Sequence, residues 1–209
     1  EGNARMDAGE GMGFLPEHQS VIIDEAHNIP QAAHRQFTAV LDQRSLKYFL
    51  ERIDPDHSHS VRWNNQLKSL GALHPQFEGM RRDLARSVES CHEYVKDFFD
   101  QMAVNSLYKF DSNAKYSTKL IIENLTEEFG PLSADLERMN RGLHSVRNQV
   151  RKLREALMDI DETKEDFLEL HQLFDRGESL ITDSLLLIQA LTSNQDDDNV
   201  YWYEGNFRN

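Results

Sequence analysis

The sequence predicts a mainly α-helical fold built around a long antiparallel helical hairpin, with a few short strands at about 20–24, 37–41 and 200–204. Three observations predict it. Leu132, Leu136, Met139, Leu143, Val146, Val150, Leu153, Leu157 and Ile160 alternate spacings of four and three without a miss, which is a heptad seam. A second stripe, Phe77, Met80, Leu84, Val88, Cys91, Val95, Phe98 and Met102, recurs every three or four residues over roughly seven helical turns. Runs with strand character, by contrast, are few and short.

Taken in order, Val21-Ile22-Ile23 reads as a short buried strand that ends at Asp24-Glu25. Asn28 can cap a short helix with Pro30 in its first turn, running to about Gln36, and Phe37 to Leu41 reads as a second strand. Asp42 caps a helix over Gln43 to Ile53, with Leu46, Phe49, Leu50 and Ile53 on one face, and Asp54-Pro55-Asp56 stops it. Ser60 to about Leu73 forms the next helix, striped by Trp63, Leu67 and Leu70, and the long helix begins after Pro75. The polar stretch Tyr108 to Tyr116 is a loop, and Thr118 to Phe129 reads as a helix ended by Gly130-Pro131. After the seam helix, Thr163 caps a partner helix carrying Leu170, Phe174, Ile181, Leu185 and Ile188. So short a turn between two long helices makes them antiparallel neighbours. Val200 to Glu204 is the last strand.

Composition excludes several classes. With 209 residues the chain has enough material for one medium domain with a sizeable core. The 23 Lys+Arg against 36 Asp+Glu leave a net charge of −13, which excludes a uniformly basic nucleic-acid coat. A single cysteine, Cys91, excludes an internal disulfide and any four-cysteine zinc or iron–sulfur ligation within these residues, and the expected compartment is the cytoplasm. The longest apolar run, Leu185 to Ile188, is far short of the roughly 20 residues of a membrane span, so no membrane partner is expected.

The strongest chemical signal is Val21-Ile-Ile-Asp-Glu-Ala-His-Asn-Ile29. An apolar strand that delivers adjacent carboxylates at its end suits phosphoryl transfer: Asp24 to hold magnesium, Glu25 to share the metal site and orient the attacking water, and His27 to couple the site to neighbouring motifs. At these residues the sequence resembles the DEAH-box helicases of superfamily 2, specifically the DinG/XPD-like branch, with Asp24-Glu25-Ala26-His27-Asn28-Ile29 matching position for position. The resemblance implies a helical arch-type insertion directly after the motif. It divides the chain into 1–29, the end of the first motor domain with the DEAH box; 30–199, the helical arch domain; and 200–209, a return strand toward the motor. It further implies a fragment of an ATP-dependent 5′→3′ DNA helicase whose parent uses magnesium and ATP, acts on single-stranded DNA and joins these residues to the remaining motor domains. Its iron–sulfur cysteines would lie before residue 1, leaving a cluster in the parent undecided. No G-x-x-x-x-G-K-[ST] phosphate loop occurs among the 209 residues, so the fragment alone is expected to be inactive as an ATPase.

Other candidates are local. Arg138, Arg141, Arg147, Arg151, Lys152 and Arg154 stand on the seam helix with no acid among them, a stretch that suits single-stranded DNA or else pairs with the acidic partner helix. His57-x-His59 has a metal-ligand pattern, but its polar Asp-Pro-Asp-His-Ser surroundings favour solvated side chains. Cys91 reads as a core thiol, and Trp63, Phe98, Phe99 and Met102 read as core rather than a base-stacking platform. The alternative to a helicase fragment is a helical scaffold or protein-interaction module whose hairpin is the working surface and whose DEAH is incidental.

Overall fold

The computed structural model describes residues 26–28, 38–106, 118–160, 167–193 and 199–205. The chain divides into two compact units, residues 1–38 and 39–209. In the first, Ala26–Asn28 forms a 3-10 turn. The expected strand at 20–24, the helix after Asn28, the loop at 108–116 and the cap at Thr163 lie outside the described residues.

The second unit is mainly helical. Helix α1, Gln43–Ile53, starts where expected because Asp42 accepts backbone hydrogen bonds from Arg44 and Ser45, and it buries Leu46, Phe49, Leu50 and Ile53. Burial works against the Asp42 carboxylate, but the hydrogen bonds from the Ser45 side chain and from the Ser45 and Arg44 amides prevail and hold its pKa below the ordinary value. A 3-10 turn, Ser58–Ser60, leads into α2, Val61–Leu73. Helix α3, Gln76–Ser106, buries Phe77, Leu84, Val88, Cys91, Val95 and Phe98 of the predicted stripe together with Phe99, while Met80 and Met102 are half-buried. Helix α5, Ser133–Met158, follows a 3-10 turn at Gly130–Leu132, and α6 spans Leu168–Thr192. All of the seam residues are buried except Ile160, which is half-buried.

Helix α3 runs antiparallel to α5: Ser87 shares a hydrogen bond of 3.0 Å with Ser145, and Gly142 lies against Cys91 and Tyr94. Helix α6 runs antiparallel to α5 on the other flank, with Arg154 bound to Asp175 and Glu178 near one end while Ser133 and Thr192 line one groove near the other. The predicted hairpin therefore exists as an antiparallel pair, but it does not stand alone. Its seam is wide enough to be shared, and α3 takes the larger part of it. Helices α1 and α2 pack on α3, and α1 also reaches α6, where the Phe49 ring fills the space left by Gly177.

Two expectations need correction. Residues 38–41 are not a strand: Val40 is 63% exposed, and the strands among the described residues pair with each other instead. The strand lies instead at β1, Thr118–Ile122, where a helix was expected. Its side chains alternate, Leu120 half-buried, Ile121 exposed and Ile122 buried, which is the period of a strand. Asn124 then caps the short helix α4, Leu125–Phe129, by accepting from the Thr126 and Glu127 amides. Strand β2, Tyr201–Gly205, pairs antiparallel with β1, from Thr118 opposite Gly205 to Ile122 opposite Tyr201. Tyr203 anchors this ribbon to α4, its ring 5.9 Å from that of Phe129 and its hydroxyl donating to Glu128 Oε1 at 3.0 Å.

Leu143 is wholly buried on the seam, so Leu143→Ala should cost about 2–5 kcal/mol in chemical denaturation, Val150→Ala less, and exposed Asn148→Ala almost nothing. At Gly177 an added Cβ would fall 1.8 Å from Phe49 Cε2. Gly177→Ala should therefore lower the melting temperature despite the better helix propensity of alanine, and adding Phe49→Leu should recover part of the loss. A rise in melting temperature for Gly177→Ala would show that the ring is not seated there.

Candidate functional site

Of the DEAH-box residues, Asp24 and Glu25 lie outside the described residues. His27 is exposed in the Ala26–Asn28 turn.

The six cations of the seam helix all fall on α5, but they do not form one patch. At about 100° per residue, Arg138, Arg141 and Lys152 share one side of the helix, while Arg147, Arg151 and Arg154 share the other. The buried seam between the two sides explains the division: Arg141 borders a groove with α3, and Arg147 borders a groove with α6. Most of these groups also have acidic partners. Arg138 pairs with Asp135, and Arg141 with Glu137 at 3.3 Å, both within α5. Arg151 faces Glu155 at 3.8 Å, a separation at which exposed pairs contribute little. Only Arg154 pairs with the partner helix, at 2.7 Å from Asp175 and 3.0 Å from Glu178. Arg147 donates to His144 Nδ1 at 3.3 Å, and Lys152 is exposed without an ion pair among the described residues. The acids that neutralise this stretch are thus mainly those flanking it on its own helix, Asp135, Glu137 and Glu155.

The groove between α3 and α5 gathers Arg86, Ser87, Tyr94, Arg141, Ser145 and Gln149. Its basic groups come from both helices, and among the described residues Arg86 pairs only with Asp83, at 4.0 Å. Sequence periodicity along one helix could not reveal this pairing of Arg86 with Arg141 across a groove.

Cys91 is buried, and burial pushes its thiol pKa up to about 12. A thiol so far from ionisation is no nucleophile. Phe98 and Phe99 are buried with their rings edge to face, 5.1 Å apart; Met102 and Trp63 are half-buried, and Trp63 donates its indole N–H to the Arg52 carbonyl. These residues serve the core, as expected.

His59 is exposed, as its polar surroundings predict, but His57 is not. His57 is half-buried and caps the Ser58–Ser60 turn, its Nδ1 accepting from the His59 amide at 3.3 Å. The last turn of α1 brings Glu51 beside both, so that ligating atoms of all three residues lie within 4.8 Å of one another. Glu51 is the member that sequence reading missed, because the stop at Asp54-Pro55 folds the chain back on α1.

On the other side of the same cleft, Arg81 bridges Glu78 and Asp56 at 3.0 and 3.1 Å. The hydrogen bond from Arg81 holds the Glu78 carboxyl below its ordinary pKa.

No helix of the described residues is long and apolar enough to cross a membrane. Comparison with protein-family models, with curated proteins and with solved structures finds no match for this chain.

Proposed function

We propose that the chain is the segment of a DinG/XPD-like, ATP-dependent DNA helicase that runs from the DEAH box through the arch domain. The observation that carries this reading is the run Val21 to Ile29, an apolar triplet delivering Asp24-Glu25-Ala26-His27-Asn28, followed by a mainly helical unit over 39–209. In the parent enzyme Asp24 holds the magnesium ion of the nucleotide, Glu25 orients and deprotonates the attacking water, and His27 links the site to other motifs. Magnesium with ATP supplies the phosphoryl-transfer chemistry. These 209 residues contain no phosphate loop, so hydrolysis requires one from outside them.

The helical unit then guides single-stranded DNA during 5′→3′ translocation. With a net charge of −13, contact with a polyanion has to be local. The groove between α3 and α5, where Arg86 and Tyr94 stand on one wall and Arg141 on the other, suits one strand better than the flank of Arg147 and Arg151. One observation favours the competing reading of a helical scaffold: four of the six α5 cations already pair with carboxylates.

Phosphate release measured on the 209-residue chain with single-stranded DNA should show no turnover. Turnover abolished by Glu25→Gln would show that the site is more complete than proposed, and in the full-length helicase the same change should abolish hydrolysis and spare DNA binding.

Charge reversal at Arg86 and Arg141 should weaken the binding of single-stranded DNA and lower the log–log salt slope by roughly 0.7 per lost phosphate contact. Reversal at Arg147 and Arg151 should do so less. If all four reversals leave binding and slope unchanged while the melting temperature falls, the cations serve the bundle and the scaffold reading stands.

A further inference from the structure

We infer that Glu51, His57 and His59 form a binding site for one divalent transition-metal ion of the zinc class, which clips the end of α1 to the turn that opens α2. The donor set points to the ion. Two imidazoles and one carboxylate suit zinc and its neighbours among borderline cations, whereas magnesium and calcium take oxygen donors. Three protein ligands leave a fourth position for water.

The turn that carries the histidines is held from several sides. The His57 amide donates to the Asp54 carbonyl at 3.2 Å, and the Asp56 amide to Asp54 Oδ1 at 2.9 Å. Buried Ser60 donates through both its amide and its hydroxyl to the His57 carbonyl, at 3.1 and 2.7 Å. Buried Asn64 donates to the carbonyl of buried Pro55. The positions of the two histidines on the backbone are therefore set before any ion arrives, which lowers the ordering cost of binding.

Little has to be displaced. The ligating atoms, within 4.8 Å of one another, must close to about 3.4 Å to surround an ion at bond lengths of about 2.0–2.2 Å. Rotation of exposed His59 and of the Glu51 carboxylate supplies that change. Glu51 now faces Lys47 at 3.8 Å, an i,i+4 pair whose lysine is exposed and readily released. His57 Nδ1 accepts a hydrogen bond and so already presents a lone pair, and a bond of 3.3 Å yields to a metal. Asp54 and Asp56 line the same cleft and favour a cation there, although Asp56 also binds Arg81.

The test titrates Zn²⁺ into the full 209-residue chain against a chromophoric chelator, with Co²⁺ as a spectroscopic substitute and circular dichroism as a check on folding. One Zn²⁺ per chain should bind and raise the melting temperature, and Co²⁺ should give an intense visible band of low coordination number. His59→Ala, at an exposed position, and Glu51→Gln should each weaken binding at least about tenfold, while His144→Ala, on α5, should leave it unchanged. Affinity unaffected by both site variants, or uptake of several equivalents without saturation, would mean adventitious binding by the nine scattered histidines and would overturn the proposal.

Discussion

The close approach of α3 and α5 is the constraint on which the rest of the helical unit depends. At Gly142 an added Cβ would stand 3.2 Å from the Cys91 backbone and 3.0 Å from the Tyr94 ring, so a larger residue would need its neighbours to give by a few tenths of an ångström. With the helices so near, Ser87 and Ser145 meet across the seam, and the stripe of Leu84, Val88, Cys91 and Val95 closes on Leu143, Val146 and Val150. The remaining apolar edge of α5 is then open to α6, and Phe49 of α1 fits where α6 has its own glycine. Two glycines thus set the spacing of the helix contacts, one by letting backbones approach and the other by receiving a ring.

The same seam limits where charge can go. A helix buried on two flanks keeps only its outer face and two edges for polar groups, so the basic residues of α5 are divided between those edges. What looks like one basic run in the sequence becomes two short ones, each bordered by a different helix. On the α3 side, a neighbouring helix contributes Arg86 and Tyr94, and a groove with mixed polar walls results.

The long helices were legible because their periodicity persists: seven of the nine seam positions fall on α5 and all eight of the second stripe on α3, which averages out any local ambiguity. The ribbon was not. Thr118 to Ile122 is five residues long, and three consecutive apolar residues, Leu120, Ile121 and Ile122, have no period that tells a helix from a strand. What decides is the partner, Tyr201–Gly205, which lies far away in the chain, and a local reading carries no information about it. Residues 38–41 have strand-like composition but are not a strand, and composition alone misplaced it. Similarly, His57 and His59 were visible as a pair, but Glu51 joins them only through the fold of the Asp54-Pro55 turn. The run Asp24-Glu25-Ala26-His27-Asn28 is legible as a pattern because its residues are adjacent in the chain.

The ribbon also bears on the order in which the unit assembles. Its strands join residues about eighty positions apart, across both helices of the α5–α6 pair, whereas those helices meet through a short connection. Closing the longer loop first would cost chain entropy before any contact compensated for it, so the bundle should condense early and β1 should find β2 late. Two strands with one exposed side protect their amides poorly. Native-state hydrogen exchange should then be faster in Thr118–Ile122 than along the centre of α3, and substitutions in the ribbon should change the unfolding rate rather than the folding rate.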